Sequence, residues 1–215
     1  MLKLFYSPGA CSIVSHIALH EAGADFEAVR VMLAQGEQLK PEYLAINPHG
    51  RVPALATDEG VVTEQIAVVN YIADQFGKEG SVPRGDAFAA AKCNELLGWF
   101  ASTVHISFAG IFRPGRFVTD EAVHDAVTQG GRAALLKHFE EIDGKCGDGW
   151  IAGGKFTAAD SYLLIFFRWG KRLEFDMSRY SRWASHVERV LDRPAVVRTI
   201  EAEGGQRSDF TVERA

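Results

Sequence analysis

The segment Asn47-Pro-His-Gly-Arg-Val-Pro-Ala-Leu55 sets an X-Pro bond, Val52–Pro53, directly before an apolar strand-like run, Ala54 to Ala56. Such a bond is one of the few places where a cis peptide is accessible, because the tertiary amide nearly erases the trans preference. A cis bond there turns the backbone N–H and C=O of Val52 away from the sheet and leaves them free for an extended peptide. Glu64-Gln65 follows at the expected start of an amphipathic helix. A helix N-terminus offers unpaired N–H groups and a partial positive charge, which suit a carboxylate. Order and spacing together describe a clamp for a short acidic peptide.

Around this clamp the pattern is βαβ followed by ββα, an α/β thioredoxin-type layer. Leu2 to Tyr6 reads as a strand, Ser7-Pro-Gly-Ala as a turn, and Cys11 to Ala22 as a helix stopped by Gly23. Phe26 to Leu33 is a second strand, and Gln35 to Ile46 holds a short helix. Ala54 to Thr57 and Val61-Val62 flank the turn signal Asp58-Glu59-Gly60 as a hairpin. Glu64 to Phe76 is a helix with Ile66, Val69, Ile72 and Ala73 on its core face.

Residues 1–77 therefore form the first domain, 78–86 a Gly/Pro-rich linker, and 87–215 an all-helical domain. The helical runs cover about 87 to 112, 120 to 144, 157 to 170, 178 to 191 and 194 to 203. Thr157-Ala-Ala-Asp160 is a capping box opening a helix that is apolar nearly all round, hence the buried helix of that domain.

Composition narrows the classes. With 47% hydrophobic and 24% charged residues the chain reads as soluble and globular. Its formal charge of -5, without a Lys/Arg tract, argues against nucleic acid. The longest uninterrupted apolar run, Tyr162 to Phe167, is too short to cross a bilayer, and the N-terminus does not read as a secretory signal. Cys11, Cys93 and Cys146 are odd in number and widely spaced, fitting a reducing cytoplasm, and Cys93 and Cys146 read as structural. His16 and His20 share a helix face, but no third ligand lies nearby in sequence, so no metal is expected.

Several motifs carry a family resemblance: Leu4-Phe-Tyr-Ser-Pro-Gly-Ala-Cys-Ser12, Tyr43 to Leu55, Thr63-Glu64, Phe112-Arg-Pro114, Trp150 to Asp160, Arg168-Trp169, Arg193-Pro194 and Glu203-Gly204. Together they resemble the glutathione transferase superfamily, specifically its bacterial beta class. The resemblance implies a thioredoxin-like domain, a helical domain, a cytoplasmic homodimer, and glutathione as co-substrate for attack on a small hydrophobic electrophile. Cys11 matches the family's active-site cysteine at the start of the first helix, where the partial positive charge stabilises a thiolate. Tyr6 or Ser12 is placed to hydrogen-bond the glutathione sulfur, and His105 to reach Cys11 from the helical domain. Val52, with Pro53, pairs its backbone with the cysteinyl part, while Glu64 and Gln65 hold the γ-glutamyl end.

Phe108 and Phe112 are expected to line the electrophile pocket, with Trp99, Phe100, Phe166 and Phe167 mostly core. Arg113, Arg116 and Arg168 are candidates for an anionic substrate. The chain departs from the family at Gln65, where Ser or Gly is usual, at Gly98 and Ile106, where beta-class proteins carry Asn and Lys, and near Gln35-Gly36, where a basic residue is missing. Cys11 also opens the way to a mixed disulfide with glutathione and thiol transfer. The alternative function is a ligand-binding protein of the same fold with little catalysis.

Overall fold

The computed structural model describes residues 1–77 and 80–212. Lys78 and Glu79 of the expected linker, and residues 213–215, lie outside the described residues. The N-terminal domain is a sheet in the order β2-β1-β3-β4. Its strands are β1 (Leu2–Tyr6), β2 (Phe26–Arg30), β3 (Ala54–Thr57) and β4 (Gly60–Thr63). The β1–β2 pair is parallel, as a crossover through helix α1 (Ile13–Ala22) requires, and the β1–β3 and β3–β4 pairs are antiparallel.

The two-residue period of β1 decides what sits on each face. Leu4 and Tyr6 are buried in the main core under α1 and α3 (Gln65–Phe76). Phe5 points the other way and packs with Val31, Tyr43 and Val52. That small cluster holds the segment after helix α2 (Pro41–Leu44) against the sheet.

β2 is shorter than its apolar run. Val31 N–H still donates to Tyr6 O at 2.7 Å, but β1 ends there, and the next N–H, Met32, turns to the Glu37 carboxylate at 2.7 Å. Short 3₁₀ turns, Leu33–Gln35 and Glu37–Leu39, replace the strand end. On α3 the buried positions are Gln65, Val68, Val69, Ile72 and Ala73, the stripe that faces the core. Ile66, expected on that face, packs against the core while half-buried and also lines a cavity.

The helical domain comprises α4 (Ala87–Trp99), α5 (His105–Phe112), α6 (His124–Lys145), α7 (Ala158–Arg172), α8 (Ser181–Leu191) and α9 (Pro194–Ala202). A π-helical stretch, Phe100–Val104, joins α4 and α5 into one rod. Counted as a whole, Ala87–Phe112 is long and apolar enough to cross a bilayer, which no uninterrupted run suggested. Here its Leu97, Phe100, Val104 and Phe108 are fully buried, and Phe100 and Phe108 both pack on Phe166 of α7.

α7 is the buried centre, from Ala158 to Phe167 without a break. Its capping box forms. Asp160 accepts from the Thr157 N–H at 2.8 Å and from the Ile151 N–H at 2.8 Å, and lies 2.9 Å from His186 Nε2. The role of this carboxylate is to close the start of α7, far into the core.

Candidate active site

Two hydrogen bonds fix the presentation of Val52. The Tyr43 hydroxyl and the Asn47 amide both donate to the Arg51 carbonyl, at 2.6 and 2.7 Å, and Asn47 Oδ1 accepts from the His49 N–H at 3.1 Å. A buried Asn satisfied on both ends is an inexpensive way to rigidify a loop. The Val52–Pro53 bond that follows is cis.

The loop carrying Cys11 is pinned from the helical domain. Gly9 N–H donates to Glu203 at 3.1 Å, and Trp169 Nε1–H donates to the Gly9 carbonyl at 2.9 Å. Gly9 has φ 71°, a backbone that favours glycine, and a Cβ there would also push aside the tip of the Arg168 guanidinium. Arg168 itself pairs with Asp209 at 3.3 Å and covers Phe210, which removes it from the candidate anion ligands.

Cys11 lies two residues ahead of α1, in the turn rather than in the helix. Its thiol donates to the Val52 carbonyl at 3.7 Å. Burial pushes the Cys11 thiol up to about 12; backbone N–H groups of Cys11 and Ser12 and the Arg51 charge pull against this, and Glu64 adds to it. The thiolate expected from a helix N-terminus is thus corrected: a carbonyl acceptor and a dry surrounding favour the protonated form.

Tyr6 and Ser12 turn away from Cys11's surroundings. Tyr6 is buried against the His16 ring, at 4.9 Å between centroids. The Ser12 hydroxyl closes the Ser7–Ser12 turn, accepting from Ser7 N–H at 3.1 Å and donating to Ser7 O at 3.3 Å. Neither lines a cavity beside Cys11.

Gln65 also points elsewhere than expected. With its amide oriented to satisfy both ends, nitrogen donates to the Cys11 carbonyl at 3.0 Å, and oxygen accepts from Ser15 N–H at 3.2 Å and its hydroxyl at 2.6 Å. Gln65 therefore ties the starts of α1 and α3 together. Glu64 stands at the corner with φ 66°, an unusual backbone for a non-glycine residue, costing on the order of 1–3 kcal/mol.

Two cavities meet at Cys11. The first, about 270 Å³, is lined by Val52, Pro53, Glu64, Gln65, Ile66 and Tyr162. The second, about 390 Å³, lies toward Pro8, Met32, Leu33, Phe112 and Trp169. Cys11, Arg51, Val52, His105, Ala109 and Arg116 line both.

His105 packs its ring on Trp169 at 5.1 Å, and burial, aided by the Arg116 and Arg51 charges, lowers it to about 4, so the imidazole is neutral at pH 7. Phe112 lines the second cavity, but Phe108 is fully buried beneath it and lines neither. Tyr162 and Arg51 escaped the sequence reading, Tyr162 because α7 looked purely structural. Among the described residues no group of three or more His, Cys, Asp or Glu side chains could hold a metal ion.

A cysteine facing the residue before a cis-proline on a thioredoxin-like sheet defines a thiol-handling protein. Comparison narrows that class. A model of the glutathione S-transferase N-terminal domain matches residues 1–74, and one of its C-terminal domain matches residues 100–194. The chain is 35% identical over 206 residues to Glutathione S-transferase GstA of Escherichia coli O157:H7, covering 94% of this chain and 99% of that protein. A glutathione transferase homolog from Sulfitobacter, solved with bound glutathione, superposes with a TM-score of 0.88 at 31% identity, over 96% of this chain and 99% of that one. A bacterial beta-class glutathione S-transferase of Sphingomonas chungbukensis gives 0.83 at 35% identity, over 94% and 98%. The chain belongs to the glutathione S-transferase family.

Proposed function

We propose that this protein conjugates reduced glutathione to small hydrophobic electrophiles. The observation that carries the reading is the meeting of two cavities at Cys11, one bordered by Val52, Pro53 and Glu64, the other floored by Phe112 and Trp169. The first suits the tripeptide. Val52 offers its backbone to the cysteinyl part, as an added strand would be paired. Glu64 takes the γ-glutamyl ammonium. With Gln65 tied to α1, the α-carboxylate falls to the free N–H groups at the start of α3.

The glutathione sulfur then lies beside the neutral His105 and beside Cys11, whose S–H turns from the Val52 carbonyl to donate a weak hydrogen bond to the thiolate. Both groups can stabilise the developing nucleophile without adding a competing charge. Turnover of reduced glutathione with chlorodinitrobenzene, read as conjugate absorbance, tests this. Its absence alongside intact glutathione binding would favour the ligand-binding alternative.

Thiol transfer is a second activity of the same site, favoured by the presence of the Cys11 sulfur on both cavities. The family resemblance further supports a cytoplasmic homodimer, and the three buried free cysteines accord with a reducing compartment. Light scattering on the purified chain tests the dimer.

A further inference from the structure

The second cavity has a charge that its apolar floor does not explain. Four arginines line it, Arg51, Arg113, Arg116 and Arg172, and no Asp or Glu does. They come from three places in the fold: the loop before β3, the turn after α5, and the last residue of α7. In a chain of net charge -5, several arginines elsewhere find carboxylates, Arg84 with Asp74, Arg168 with Asp209, Arg193 with Glu21 and Arg207 with Glu188, while Arg132 and Arg189 donate to backbone carbonyls. Among the described residues none of these four has an ion-pair partner. They also repel one another: burial and the neighbouring Arg51 and Arg113 charges lower the Arg116 guanidinium below its ordinary value. Uncompensated cations held around a concave apolar surface are electrostatically unfavourable until an anion arrives.

Glutathione does not account for all of them. Arg51 and Arg116 border both cavities and are within its reach, whereas Arg113 and Arg172 border the second cavity alone. Arg172 stands over the Phe112 ring at 6.0 Å, so charge and aromatic face are offered side by side.

We propose that the second cavity selects electrophiles carrying a carboxylate on a flat apolar body, held by Arg113 and Arg172 against Phe112 and Trp169. The inference rests on the conjugation reading above and names the substrate class of that site. Chlorodinitrobenzoate is a probe of the class. The glutathione thiolate forms a C–S bond at the ring carbon, the C–Cl bond breaks, chloride leaves, and the thiol proton goes to solvent.

The test is calorimetric. Reduced glutathione, its dinitrophenyl conjugate and its carboxydinitrophenyl conjugate are titrated at one fixed ionic strength. The carboxylated conjugate is expected to bind roughly tenfold tighter than the uncharged-ring one, the scale of one charge-assisted hydrogen bond. In an Arg113→Gln/Arg172→Gln variant that ratio should fall toward one, and Arg113→Lys/Arg172→Lys should restore part of it. Equal binding of the two conjugates while glutathione binds, or a ratio unchanged in the double Gln variant, overturns this proposal alone. Failure of glutathione and both conjugates to bind overturns it together with the conjugation reading.

Discussion

The Cys11 thiol donates to the Val52 carbonyl across 3.7 Å, joining the turn before α1 to the residue before the cis-proline. Burial pushes this thiol from its ordinary 9.0 up to about 12. Alkylation by iodoacetamide should therefore be slow near neutrality and climb roughly tenfold per pH unit from pH 9 toward 12, since the thiolate is the nucleophile. A Cys93→Ser/Cys146→Ser background isolates the signal, because those thiols are buried and raised as well. A rate that levels off below pH 9 would contradict the assignment.

On the proposed reading a protonated Cys11 donates to the substrate sulfur and is not the attacking group in conjugation. Cys11→Ala should cost conjugation about 0.5–1.5 kcal/mol of transition-state stabilisation, which is up to roughly tenfold in rate. Mixed-disulfide formation with glutathione should vanish, as read by intact mass. Conjugation lost by several orders of magnitude would contradict a role limited to one hydrogen bond.

Glu64 holds φ 66° at the mouth of the first cavity. Glycine adopts such a backbone freely, at an entropic cost smaller than the strain. Glu64→Gly should accordingly raise unfolding stability by about 1 kcal/mol while weakening glutathione at least tenfold. Urea denaturation and calorimetry measure the two halves. A variant that is both less stable and equally tight in binding would refute the reading of this corner.

Gly9 is bonded at both its N–H and its carbonyl, by Glu203 and Trp169. Gly9→Ala forces a left-handed alanine against Arg168, with an expected loss of about 1–3 kcal/mol in stability. Turnover should drop with it, because the same loop carries Cys11. Urea melts paired with conjugation rates check this.

His20 and His105 are each lowered from 6.5 to about 4, chiefly by burial, with His16 and Arg198 acting on the first, Arg116 and Arg51 on the second. The folded chain keeps both neutral while the unfolded chain takes up protons below 6.5, so unfolding binds protons and stability falls as pH drops from 6.5 to 4. Thermal melting temperatures should decline across that window, and less steeply in a His20→Asn variant. A flat profile would mean that these rings are already solvated in the fold.

The strands, the hairpin and the capping box of α7 were legible because each rests on neighbours in sequence: a two-residue alternation, the Asp58-Glu59-Gly60 turn, a Thr and an Asp three apart. The Val52–Pro53 corner and Glu64 were legible for the same reason. What the chain concealed is decided across elements. Phe108 and Phe112 share a helix face four residues apart, and only packing against α7 sends one into the core and leaves the other at a cavity. Gln65 follows Glu64, yet its amide turns back to α1, where it meets the Cys11 carbonyl and the Ser15 N–H and hydroxyl. The arginine cluster gathers residues from position 51 to position 172, a convergence that no local pattern marks.

Titration of reduced glutathione into the protein and into Glu64→Ala tests the central claim most directly. The account predicts binding in the micromolar-to-millimolar range, weakened at least roughly tenfold in the variant. No heat of binding up to several millimolar, or identical affinities for the two proteins, would contradict the assignment of the first cavity to the tripeptide.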